Sequence, residues 1–568
     1  MRLWQRNRSL VSSAKFSKAM PNLADTKKSV AADDKDNQCA HHKKSYYMNT
    51  CEQNIKKISE DLMSSKQASL EVLTLIDDIQ RLGIEYYFKE EIKSALDRQY
   101  MKLCFTRSRS TDLHETALRF RLLRQEGYDM PAIQDMQPCT DLFDKFKNGS
   151  GKFRPELGKD IQGLMSLYEA SEMRVEAEDI LGEAYEYSRQ VLDSVMDNHQ
   201  HQPLVKIVGN TLKHPHHKSL PKFTAENSLC NFNNKKRMRK ELRDLANMDF
   251  IMAKAMYREE MHQVSCWWDN LGLAKEMKFA RNQPLKWYMW PVAAIPDPSM
   301  SEMRIEIVKT IAIIYVIDDL FDVYGTLDDL SIFTVAVNRW DFTMVEVLPN
   351  CMRACFKALY DITDGIGHHI YERHGINPIY LMRKIWANLC NAFLVEARWF
   401  DTGYEPSTND YLKNGIISTG VHVVLAHLFF LMGEDGCDNK MDVSNGFPSI
   451  MDNIATILRL WDDLGSAKDE NQDGKDGSFV ECYLNENKGS SVDDAREHVK
   501  KMISDAWKRL NEDYLTQYPF SLLFKKICLN FARMVPLMNN YDDNHSLPIL
   551  KKHMKTFLSQ DAQNPNQD

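Results

Sequence analysis

Apolar residues recur at helical spacing along almost the whole chain from about residue 55, which leaves little room for any fold but an all-α one. Val72, Leu75, Ile76 and Ile79 show the pattern, i, i+3, i+4, i+7, that lines one face of a helix. Alternating, strand-like runs are few. At 568 residues the chain exceeds one ordinary core, so two helical domains and a tail are expected. The polar stretch 213–240, with two prolines and a basic cluster, marks the connection and places the domains at 51–235 and 236–568. His214, His216 and His217 within it flank Pro215 and have no acidic or cysteine partner nearby, so they read as a solvated loop rather than a metal site.

Composition excludes several classes of function. The net charge of -8, from 72 basic and 80 acidic residues, provides no basic stripe for nucleic acid. The apolar runs read as shorter than the ~20 residues of a membrane span, so a soluble chain without a span is expected. Twelve cysteines without a CxxC pair read as reduced thiols, with Cys351 and Cys355 in the core. Residues 1–50 differ from the rest: Arg2, Arg6, Arg8, Lys15 and Lys18 accompany several serines, and no acid precedes Asp25. That composition describes a plastid transit peptide, or alternatively a disordered tail of a cytosolic protein.

Two acidic sites close apolar helical runs. In "YVIDDLFDVYGTLDDL" Asp318 and Asp322 stand four apart, on one face of an α-helix, with Asp319 beside them. Carboxylates at the end of a buried segment need a cation, and hard oxygens at this spacing suit Mg²⁺. Alone, the motif reads more readily as a capped helix end with solvated acids. A second site changes the balance. "ILRLWDDLGSAKDE" puts Asp462, Ser466 and Glu470 in one stripe, half of a magnesium clamp that a diphosphate would complete. Arg459 lies three residues before Asp462, and Arg281 lies upstream of the first cluster. Guanidinium forks match phosphate oxygens, although each arginine alone could serve a structural ion pair. In the amino-terminal half, Asp77 and Asp78 followed by Arg81 read as an ordinary exposed ion pair.

These motifs resemble those of the plant class I terpene synthases. "LIDDIQRLGIEYYFKEEI", "WWDNLGLAKEMKFARN", "IYVIDDLFDVYGT" and "LRLWDDLGSAKDENQDGKDG" carry the resemblance from about Leu70 to the carboxy terminus. It implies an amino-terminal α-barrel-like domain and a carboxy-terminal class I isoprenoid synthase domain, which encloses an apolar pocket with three Mg²⁺ at its mouth, Mn²⁺ being a substitute. Asp318, Asp319, Asp322, Asp462, Ser466 and Glu470 then correspond to metal ligands. Arg281 and Arg459 correspond to diphosphate-binding arginines, and Trp290 to a pocket-lining aromatic. The Asp-x-Asp-Asp acid of protonation-initiated cyclases is absent, implying a catalytically silent amino-terminal domain.

The upstream arginine motif of the family reads Arg-x-Arg, whereas here Gln283 follows Arg281. This departure resembles the acyclic-alcohol subfamily, the linalool and nerolidol synthases. The implied reaction is magnesium-dependent ionisation of geranyl diphosphate, or of the longer farnesyl diphosphate, with water capturing the cation. A monomer is expected.

Overall fold

The computed structural model describes residues 34–64, 69–105, 111–128, 142–197, 202–225, 239–434, 446–469, 477–516, 519–539 and 547–558. Their regular structure is helical, apart from an isolated bridge between Lys147 and Phe153. The chain divides into two compact units. Among the described residues, 34–253 with 511–516 form one, and 254–510 with 519 onward form the other. The division falls inside the continuous helix Lys240–Leu271, later than the polar stretch at 213–240. A helix, Asp34–Met63, already occupies the end of the segment expected to be a tail, and residues 1–33 lie outside the described residues.

In the first unit Val72, Leu75, Ile76 and Ile79 are all buried on α1 (Ser69–Arg81), as the periodicity predicts. α1 packs on α2 (Leu113–Gln125), and α2 on α3 (Ile161–Ser171). Asp112 and Asp160 start the last two helices by accepting the amides of Glu115 and Gly163 at 3.0 and 2.8 Å.

Two expectations about this unit are overturned. Asp77 and Arg81 are not an exposed pair, because α2 and α3 bring a second arginine and a second acid onto them. Arg81 holds Asp77 through Nε at 3.0 Å and also pairs with Glu169, while Arg121, only 1 % exposed, pairs with Asp77. Burial alone would raise the Asp77 carboxyl, but Arg121 and Arg81 hold it well below the carboxylate range. Nor are two of the three histidines solvated, His214 alone being half-buried. His216 and His217 are buried in a 3₁₀ turn, and His217 Nε2 lies 2.7 Å from Asn511 Oδ1 in the same unit.

The second unit is built around α4 (Pro284–Ala294), α5 (Ser301–Asp319), α6 (Ile379–Thr402), α7 (Thr408–Ser418), α8 (Val421–Met432), α9 (Ser449–Asp469), α10 (Phe479–Glu486) and α11 (Leu522–Asn539). α5 packs between α4 and α8, α7 bridges α6, α9 and α10, and α11 closes on α9 and α4. Ile307, Val308, Ile311, Ala312, Ile313, Val316 and Ile317 are buried all round α5, which makes it a central helix rather than an amphipathic one. Cys351 and Cys355 are buried in this core, as expected.

The stretch Thr408–Met432 is apolar enough to cross a membrane by length and composition, longer than the sequence reading allowed. Its apolar window is 78 % buried inside the protein, and Gly420 interrupts it between α7 and α8. Gly420 is required there on two counts: φ is +73°, and a Cβ would stand 2.7 Å from Ile314 Cγ2 on α5.

Candidate active site

Both acidic sites lie in the second unit. α5 ends at Asp319, and the chain continues as a π turn, Leu320–Tyr324, closed by the Gly325 amide on the Leu320 carbonyl at 2.9 Å. Asp322 therefore sits on a wider turn than the α-helix expected for it, with a changed direction relative to Asp318. Such π bulges recur at functional sites.

Asp318 and Asp322 are half-buried, whereas Asp319 is 5 % exposed. The loop before α4 supplies the cation that this carboxylate needs. The Arg281 amide donates to Asp319 Oδ2 at 2.6 Å, Arg281 Nε lies 2.7 Å from Asp319 Oδ1, and Nη2 pairs with Asp318. The guanidinium rests 4.7 Å above the Tyr315 ring. Burial would weaken the charge on Arg281, but Asp319 and Asp318 outweigh it and keep the arginine protonated. Burial raises the Asp319 carboxyl despite the arginine. Asp319, expected among the metal ligands, is turned inward and paired with Arg281.

The second half repeats this arrangement on α9. Asp462 is half-buried, while Asp463 is 3 % exposed. Asp463 Oδ2 accepts the Phe479 amide at 3.0 Å, and Oδ1 accepts the Tyr411 hydroxyl at 3.0 Å and lies 3.3 Å from Arg459 Nε. Arg459 Nε also donates to the Tyr411 hydroxyl at 2.9 Å, with its Cζ 4.7 Å above that ring. Burial pushes the Asp463 carboxyl up to about 7, against the lowering effect of Arg459. Gly415 on α7 makes room for this arm, since a Cβ there would meet the Arg459 side chain at 3.2 Å.

Glu396 on α6 faces Arg459 of the second half. It accepts Ser418 Oγ at 2.7 Å and Asn414 Nδ2 at 3.2 Å, and lies 3.9 Å from Arg459 Nη1. Its carboxyl is raised by burial and, in part, by the negative charge of Asp318, while Arg459 lowers it. Sequence reasoning missed Asp463, Tyr411 and Glu396. Asp463 was open to it, four residues after Arg459 and beside Asp462. Nothing local marks the other two, which the packing of α6 and α7 delivers.

The Ser466 side chain and Glu470 lie outside the described residues. Among the described residues no three metal-ligating side chains form a ready-made cage. The donors present, half-buried carboxylates, are hard oxygens that fit a hard cation taking part of its shell from elsewhere. Trp290 on α4 is buried and stacks on Phe531 of α11, with ring centroids 6.2 Å apart. The other aromatics pack the core nearby, Trp287 between Trp268 and Tyr315 and Trp386 against His427.

Comparison with known proteins agrees with this architecture. Residues 269–509 match the terpene synthase family metal binding domain, and 24–212 match the terpene synthase N-terminal domain. The chain belongs to the terpene synthase family. This terpene synthase is 52 % identical to probable terpene synthase 13 of Ricinus communis, over 88 % of the chain and 86 % of that protein. It is 46 % identical to the chloroplastic S-(+)-linalool synthase of Arabidopsis thaliana, over 89 % of the chain and 87 % of the relative. It is equally 46 % identical to the (E)-nerolidol synthase TPS18VF of Cannabis sativa, over 86 % and 88 %. The fold superposes on isoprene synthase from grey poplar leaves, Populus x canescens, solved with three Mg²⁺ ions and dimethylallyl-S-thiolodiphosphate. The TM-score is 0.83 at 31 % identity, covering 91 % of this chain and 97 % of that one.

Proposed function

We propose that this terpene synthase is a magnesium-dependent linalool synthase acting on geranyl diphosphate, and that it converts the longer farnesyl diphosphate to nerolidol. The observation that carries the reading is Gln283 where the family places a second arginine, in a chain 46 % identical to relatives named for those two alcohols.

Asp318, Asp322 and Asp462, with Ser466 and Glu470, are the donors to the metal. When bound, Mg²⁺ supplies charge neutralisation of the diphosphate, the term that dominates catalysis of this kind. Arg281 and Arg459 hold diphosphate oxygens and stabilise the charge that develops as the allylic carbon–oxygen bond breaks. Trp290 offers a ring face to the cation left behind. One retained water then adds to the tertiary carbon, its proton passing to the departing diphosphate, which gives the acyclic alcohol. Gln283 weakens the grip on the leaving group, because an amide is a poorer partner for an oxyanion than a guanidinium. The cation is therefore intercepted before it isomerises and closes.

Gas chromatography of the products from geranyl and farnesyl diphosphate tests the assignment. Linalool and nerolidol are expected, and a predominantly cyclic product overturns it. A plastid compartment is supported by the basic, acid-poor residues 1–50 and by relatives named chloroplastic. We place the enzyme in plastids, where a fluorescent protein fused behind residues 1–50 is expected to accumulate. Uniform cytosolic fluorescence would make the farnesyl substrate the natural one.

A further inference from the structure

The helix Lys240–Leu271 turns one stripe of its second half to solvent, at Glu259, His262, Cys266 and Asp269. Residues four apart share a helix face, so an imidazole and a thiol meet there. Cys266 Sγ lies 3.7 Å from His262 Nε2 and 4.0 Å from Nδ1. Among the described residues six other cysteines are buried and Cys104 is half-buried, which leaves Cys266 as the exposed thiol. The carboxylate site makes no use of this pair.

We propose that His262 and Cys266 form a surface site for a thiophilic divalent cation of the zinc class, separate from the carboxylates assigned to Mg²⁺. The proposal does not depend on the substrate or product of the enzyme. Around tetrahedral zinc, a thiolate at about 2.3 Å and an imidazole nitrogen at about 2.1 Å stand about 3.6 Å from each other. The separation here, 3.7 Å, is close to that spacing, so binding asks for a small turn of the side chains and no movement of the helix. Ligand type then selects the ion: thiolate and imidazole suit zinc, whereas magnesium prefers the oxygens of the other site. The ion takes the place of the thiol proton, which passes to solvent as the sulfur–metal bond forms. Among the described residues no third ligand is in place, so water completes the shell, and Asp269, one turn further along the same exposed face, is the side chain best placed to replace one water. The turn that carries the pair is itself anchored. Trp268 is buried, donates its indole N–H to Asn282 at 2.8 Å and meets Trp287 edge-on, with ring centroids 4.9 Å apart. A ligand pair on a fixed helical turn loses little freedom when an ion arrives.

Cobalt chloride titrated into the full chain at saturating magnesium tests the site. Co²⁺ takes the place of zinc, and a thiolate bound to it gives a charge-transfer band in the near ultraviolet that oxygen ligands do not give. The wild-type chain is expected to develop this band at micromolar cobalt, and zinc chloride is expected to abolish it by competition. Cys266→Ser is expected to remove the band. His262→Ala is expected to weaken cobalt binding by ~10-fold or more, since even the loss of a contact behind a metal ligand costs that much. Both positions are exposed, so each variant is expected to keep the wild-type circular dichroism spectrum, and a lost band then reports the ligand rather than the fold. A band that survives Cys266→Ser comes from another thiol and overturns the proposal. Unchanged affinity in His262→Ala, or a wild-type chain that shows no band, overturns it as well. None of these failures touches the function proposed above, which gas chromatography tests separately.

Discussion

Asp318 and Asp319 are adjacent in sequence, yet one retains access to solvent and the other is enclosed by an arginine, and this difference decides what substitution does. Asp318→Ala removes a half-buried carboxylate. It is expected to lower kcat at least ~100-fold, the scale of losing one transition-state stabiliser, with an unchanged circular dichroism spectrum. Wild-type turnover in the variant, or full activity in excess chelator, would contradict it. A second residue-scale expectation concerns His427 on α8. It is buried against Trp386, with Nδ1 donating to the Val423 carbonyl at 2.7 Å. Burial lowers its pKa to about 4. The unfolded chain takes up this proton near pH 6.5 and the folded chain does not, so stability is full above pH 6.5 and falls as pH drops toward 4. Between pH 7 and 5 the loss from this group is about 2 kcal/mol. Urea unfolding at the two pH values should show His427→Leu losing less than wild type by that amount. Residue roles of this kind were half legible in the sequence. Arginines and acids announced themselves by type and spacing, but burial assigned their partners, so the pairing of Asp319 with Arg281 and the whole of Asp463's surroundings went unread.

At the scale of elements, helical periodicity is a local signal and survived intact: the stripe of Val72, Leu75, Ile76 and Ile79 fell where it was expected. Failures came where a third element intervened. Asp77 and Arg81 satisfy the i,i+4 rule of an exposed pair, but the rule cannot see that α2 and α3 will cover them with Arg121 and Glu169. Asp77→Asn leaves Arg121 buried with an incomplete counter-charge. It is expected to cost about 3–5 kcal/mol, measured by urea unfolding, with turnover per folded molecule unchanged. The π turn after α5 was equally illegible, because residue spacing alone assumes an α-helix. Gly420 gives an expectation of the same kind. Alanine there must adopt a positive φ and press a methyl onto Ile314, one turn before Asp318. A destabilisation of ~2–4 kcal/mol, from strain and overpacking together, is expected in the same measurement.

For the whole molecule, the proposed placing of all the chemistry in one of the two compact units predicts two separable responses. The proposed metal and diphosphate donors, from Arg281 to Glu470, belong to one unit, whereas the Asp77–Arg81–Arg121–Glu169 network belongs to the other. A ligand that binds only the native state stabilises what it touches by RT ln(1 + [L]/Kd), ~2.7 kcal/mol at a hundredfold excess over Kd. Hydrogen exchange reads that stabilisation segment by segment, because each amide opens with the local unit that contains it. Magnesium with inorganic diphosphate is therefore expected to slow exchange at the end of α5, in the π turn, and in α6 and α9, and to leave α1 to α3 as they were. Asp77→Asn is expected to do the reverse, speeding exchange in α1 to α3 while diphosphate still protects α5 and α9. Protection of α1 to α3 by diphosphate would show that the first unit is coupled to the chemistry, and would end the reading of that domain as catalytically silent.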